Sequence, residues 1–192
     1  ARAYAKLAPA ASHALHMPAH TFVQLGYWAD AAATDEASWN ASREWAARRN
    51  LAQSSWDFHS LTWLQYEWLQ LGRFTRAAEA ITIVDAVLGA LGPADEIGGH
   101  HYADSAIGRG SGPDALRNDR GSMRARYVIE SARWEAMKGQ GTFDGIDELF
   151  ALGFSAAKLG DRARVEAAIG ELTKASAPGQ PAELREQAQI ML

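Results

Sequence analysis

Apolar residues recur at intervals of three and four along most of the chain, and the alternating β-branched runs that mark strands are missing. Ala, Leu, Glu, Gln and Arg, all good helix formers, dominate the same stretches. The pattern predicts helices over 12–25, 29–48, 57–71, 75–91, 114–131, 145–159, 162–175 and 181–191, with a short helical piece near 134–138. Leu25-Gly26-Tyr27-Trp28, Leu71-Gly72-Arg73-Phe74 and Leu159-Gly160-Asp161-Arg162 separate successive helices. Glycine there supplies the left-handed backbone that ends one helix and lets the next fold back, so the helices are expected in pairs. Residues 92–113, with Gly92-Pro93, Gly98-Gly99, Gly108, Gly110 and Gly112-Pro113, hold too much Gly and Pro for a helix. They read as one long loop, either a mobile insertion or a segment that folds over a binding face.

No single helix pair of this width buries its apolar stripe alone, so stacking of pairs is expected. The pairs share a frame. Leu149, Leu152, Gly153, Gly160, Val165, Ile169, Leu172 and Pro178 fall in it, as do Leu15, Ala19, Phe22, Gly26, Trp28 and Ala31, with Pro9 where a preceding unit would end. A middle copy runs through Leu61, Leu64, Trp68, Gly72, Phe74 and Ala77, and a weaker one through Ala125, Val128, Ala132, Trp134 and Met137. Residues 12–43 and 146–179 in this frame resemble the tetratricopeptide repeat, a helix pair of about 34 residues. In addition, His13-Ala14-Leu15-His16-Met17-Pro18-Ala19-His20, Phe58-His59-Ser60-Leu61, Arg126-Tyr127 and Ala156-Ala157-Lys158-Leu159-Gly160-Asp161 are similar to the C-terminal half of a group of uncharacterised bacterial tetratricopeptide-repeat proteins with an H-M-P-[AS]-H motif. The resemblance implies an all-α fold over 1–192: an irregular array of about four antiparallel helix pairs, a right-handed α-solenoid. It implies no activity. The turns at Gly26, Gly72, Ala132 and Gly160 are unevenly spaced, which departs from a smooth superhelix.

Composition narrows the classes of function. At 192 residues, 47% hydrophobic and 22% charged, the chain is an ordinary folded domain rather than a disordered or multidomain one. A net charge of −4 without any basic run argues against nucleic acid, and no apolar stretch approaches the roughly 18 residues of a membrane span. With no cysteine, thiolate metal sites and thiol nucleophiles are excluded together. The start at Ala1-Arg2-Ala3-Tyr4, without an initiator Met, reads as the inside of a longer protein, and a cytoplasmic location is the expectation.

Histidine carries the chemistry. His13, His16 and His20 are spaced to share one helix face. Placed in the tetratricopeptide frame, the concave groove takes His13, His16, His20, Val23 and Gln24 from the first pair, His59, Thr62, Tyr66, Leu69 and Gln70 from the second, and Asp147, Phe150, Phe154, Ala157 and Lys158 from the last. A histidine-lined groove of this kind implies a peptide or partner protein as ligand, contacted by His13, His16, His20, Gln24, His59, Thr62, Tyr66 and Gln70. Imidazole nitrogens also bind borderline metals, so the alternative is a metal-binding protein or metal-dependent enzyme with Zn, Ni or Cu on His13, His16, His20 and His59. No H-E-x-x-H glutamate accompanies them, and neither catalysis nor a cofactor is the leading expectation. Pro18, inside the cluster, frees the carbonyl of Ala14 and can bend the helix so that His16 and His20 converge. His100 and His101 lie in the Gly-rich loop, able to close over the groove or simply to be solvated. Ser54, Ser55, Asp57 and His59 hold the side chains of a hydrolase triad, but a polar helix start accounts for them better. Gly108–Gly112 lacks P-loop spacing. Trp39, Trp45, Trp56, Trp63 and Trp68 are expected to pack between helices rather than to stack on a ligand.

Overall fold

Gly26, Gly72 and Gly160 take φ values of 71°, 68° and 72°. Each turn is closed by the same two bonds. The glycine N–H donates to Val23, Leu69 or Ala157, and the next N–H donates to Phe22, Trp68 or Ala156 at 2.7–2.9 Å. Orphan carbonyls at three helix ends are thereby satisfied by the device that the Leu-Gly spacing predicts. The computed structural model describes residues 8, 10–92, 113–139, 141 and 143–192. Among these the fold is all-α, with eight α-helices and no strand: α1 Ser12–Gln24, α2 Trp28–Arg48, α3 Phe58–Gln70, α4 Phe74–Ala90, α5 Pro113–Ser131, α6 Ile146–Lys158, α7 Arg162–Ala175 and α8 Ala182–Met191. Short 3-10 turns cover Gln53–Ser55 and Trp134–Met137. The interior of the expected 92–113 loop, with His100, His101 and Gly108–Gly112, lies outside the described residues, as does Pro9. No helix among the described residues is long and apolar enough to cross a membrane.

The chain divides into two compact units, Ala1–Leu116 and Arg117–Leu192. In the first, α1 packs on α2, α2 on α3 and α3 on α4, and α1 also touches α3. Ala19 and Ala31, both fully buried, sit with Phe22 where α1 meets α2; their single methyl groups permit the close approach that larger side chains would prevent. Phe58, Leu61 and Leu64 of α3 are fully buried. A hydroxyl chain ties three helices: Ser38 of α2 donates to the Ser12 carbonyl at 2.6 Å and meets Ser60 Oγ of α3 at 2.8 Å. Asp57 caps α3, its Oδ1 accepting the Ser60 N–H at 3.2 Å and its Oδ2 the Ser60 hydroxyl at 2.9 Å. Helix capping, not a hydrolase triad, is the work of that acid. Helix α1 runs through Pro18, which is buried.

The second unit packs α6 on α7 and α7 on α8. A Cβ placed on Gly153 would lie 2.9 Å from the Ala168 Cβ, so the helix crossing there has room only for hydrogen. Arg120 forms a two-bond pair with Asp144, and Arg124 reaches the fully buried Glu148 carboxylate at 3.4 Å. Ala132 ends α5 with φ 54°, taking without a glycine the conformation that glycine supplies at the other turns. Of the groove positions expected here, Asp147 accepts the Ser122 hydroxyl at 2.6 Å, Phe150 stacks on Phe154 at 6.0 Å between ring centroids, and Lys158 lies 5.1 Å over the Phe154 ring.

Candidate functional site

Three imidazoles converge in the first unit. His16 and His20 lie one turn apart on α1, and His59 lies in the first turn of α3 beside the Asp57 cap. The Nε2 of His16 is 3.0 Å from the Nε2 of His20 and 3.1 Å from the Nε2 of His59, and the rings meet edge to face with centroids 4.6 and 4.7 Å apart. His16 is fully buried, whereas His20 and His59 are partly exposed. His13, one turn before His16, stands further off, its ring centroid 6.1 Å from that of His16. It is not among the three donors that lie within 4.8 Å of one another.

A buried carboxyl holds the central ring from behind. Asp35 of α2 places Oδ1 at 2.7 Å from His16 Nδ1, with both side chains fully buried. Behind Asp35 lies Glu67 of α3, also fully buried and in hydrogen-bond contact with it. Asp35 Oδ2 and both Glu67 oxygens face no N–H or O–H donor among the described residues. A proton retained between the two carboxyls supplies the missing donor. Burial drives this: it pushes Asp35 up to about 8 and, with the neighbouring Asp35, Glu67 up to about 10. Asp35 Oδ1 accepts the His16 Nδ1–H. Burial also lowers the pKa of His16, against the opposing charge of Asp57, and lowers that of His20, with His16 and His13 adding to the effect. Both rings are therefore neutral at pH 7, the form that binds metals.

With Nδ1–H given to Asp35, His16 Nε2 presents one in-plane lone pair. That lone pair can accept one N–H, not two, whereas a single cation draws the lone pairs of all three Nε2 atoms. Metal–nitrogen bonds of about 2.0–2.1 Å in tetrahedral geometry separate the ligand nitrogens by about 3.3–3.4 Å, close to the two distances here. The residues that can hold a metal are thus His16, His20 and His59.

Among the other expected contacts, Gln24 is exposed and Gln70 half-buried. Thr62 is buried and donates to the His59 carbonyl at 2.8 Å, Tyr66 packs edge-on against Trp28 at 5.6 Å, Leu69 is buried, and Val23 packs beside Phe22. Sequence reasoning did not single out Asp35 or Glu67, and it assigned Trp63 to interhelical packing. The Trp63 ring lies 4.5 Å from His20 and 5.5 Å from His16, forming a wall of the cluster. Trp39 and Trp56 do pack on each other, at 5.4 Å. The missed signal was a carboxylate on an apolar stripe. Asp35 falls in line with Ala31, Ala32, Ser38 and Trp39, and Glu67 with Ser60 and Leu64, positions that periodicity buries. Comparison with protein-family models, curated proteins and solved structures finds no match for this chain, so the chemistry of the site rests on these side chains.

Proposed function

We propose that the first unit is a metal-binding module that holds one borderline divalent ion, of the Zn, Ni or Cu class, on the Nε2 atoms of His16, His20 and His59. The observation that carries this reading is the meeting of three imidazole nitrogens at 3.0 and 3.1 Å, with the central ring oriented by Asp35 at 2.7 Å. A carboxyl oxygen accepting from the far nitrogen of a ligating histidine fixes its tautomer and ring orientation. An all-nitrogen donor set suits these ions and not Mg or Ca. In the same proposal the helices pair in tetratricopeptide fashion, α1 with α2 and α3 with α4 in the first unit and α6 with α7 in the second, and α1 and α3 present the histidines on one groove. Purification without chelator, elemental analysis and melting with added Zn, Ni or Cu test it. Stoichiometric metal and a raised Tm are expected, both lost in a His16→Ala, His20→Ala double variant. A wild-type chain that binds none of the three ions and melts unchanged refutes it.

A peptide or partner protein in that groove is the second reading, favoured by the exposed Gln24 and half-buried Gln70 beyond the histidines. Under it, peptide binding persists in the presence of EDTA.

A further inference from the structure

We infer that an ion held by His16, His20 and His59 keeps one coordination position for a small anionic ligand supplied from solution. The inference deepens the metal reading above and rests on it. Among the described residues, the one group of three or more side chains whose ligand atoms all lie within 4.8 Å of one another is that trio, one fewer than a closed tetrahedral site requires. The nearby carboxylates are committed elsewhere. Asp35 spends Oδ1 on His16 Nδ1, across the ring from the converging Nε2 atoms, and Asp57 spends both oxygens on the N–H and hydroxyl of Ser60. His13 is the remaining imidazole on that face of α1, and its ring centroid stands 6.1 Å from that of His16, against 4.6 and 4.7 Å for His20 and His59.

Burial is uneven around the cluster. His16 is inaccessible while His20 and His59 retain exposure, so the fourth position opens on their side, next to the Trp63 ring. Charge selects the occupant. Three imidazoles are neutral ligands and leave the ion its full double positive charge, and the Asp35 carboxyl acts only through His16. An anionic oxygen or nitrogen donor, such as a carboxylate, hydroxide or azide, is therefore favoured over a neutral one.

Cobalt(II) makes the site visible and azide serves as the probe. The full chain is loaded with cobalt, its visible d–d bands are recorded, and azide is titrated into wild type and into His13→Ala, whose folding is checked by circular dichroism. A saturable change in the bands is expected, with the same midpoint in both proteins. Bands that ignore azide in wild type but respond in His13→Ala would show His13 closing the shell and overturn the inference, as would bands that ignore azide in both. If wild type develops no cobalt bands at all, it is the metal reading itself that fails.

Discussion

Replacing Glu67 by Gln is expected to stabilise the protein at neutral pH, although it removes a charged residue type from the middle of a helix. Glu67 is fully buried, and burial together with Asp35 raises its pKa from 4.5 to about 10. The unfolded chain at pH 7 has this carboxylate ionised, so folding must load a proton onto it. The cost, about 2.5 pH units at roughly 1.4 kcal/mol each, is on the order of 3 kcal/mol. Because the folded pKa is raised, the stability this group contributes is fully present below pH 4.5 and is lost as pH climbs toward about 10. Glutamine matches the protonated acid in shape, can donate its NH2 to Asp35, and needs no proton. At pH 7 the Glu67→Gln variant should gain about 3 kcal/mol, about 6–12 °C in Tm for a chain of this size, and the gain should vanish at pH 4.5. Urea unfolding in EDTA at pH 4.5, 7 and 9, followed by Trp fluorescence, reads the first unit, since six of the seven tryptophans (28, 39, 45, 56, 63 and 68) precede residue 117. A variant less stable than wild type at pH 7, or a gain that does not shrink between pH 7 and 4.5, would refute the shared-proton account.

Added Zn at one hundred times its Kd should raise stability by about 2.7 kcal/mol, and the rise should shrink on acidification, as protons compete for imidazole. Because burial lowers the pKa of His16 and His20, their neutral forms persist to a lower pH than free imidazole does, so a metal effect that grows on acidification would contradict the assignment. Leu at Gly153 should destabilise by about 1–3 kcal/mol, since even a Cβ there meets Ala168 at 2.9 Å; Leu at the fully buried Ala19 should do the same, and denaturant midpoints check both. Ala132→Gly should stabilise by up to about 1 kcal/mol by relieving the left-handed alanine at φ 54°; a lowered Tm would count against that explanation.

Helix positions and the Gly turns were legible along the chain because both are local. A stripe with a period of 3.6 and a residue that tolerates positive φ act within a few positions of themselves, and the observed bounds fall within a residue or two of those the pattern predicts. The spacing of His16 and His20 likewise set them on adjacent turns of α1. What the sequence by itself could not state is which distant side chains meet them. His59 lies 43 residues from His16 and Asp35 lies 19 away, and only the packing of α1, α2 and α3 brings one to 3.1 Å and the other to 2.7 Å. The same packing leaves His13 outside the cluster, although its spacing from His16 is as favourable as that of His20, because ring direction depends on neighbours rather than on offset. Protonation was the least legible property of all. Periodicity can set Asp35 and Glu67 on buried stripes of two helices, but only the packing of α2 on α3 brings the two carboxyls together out of water, and that desolvation then decides their charge.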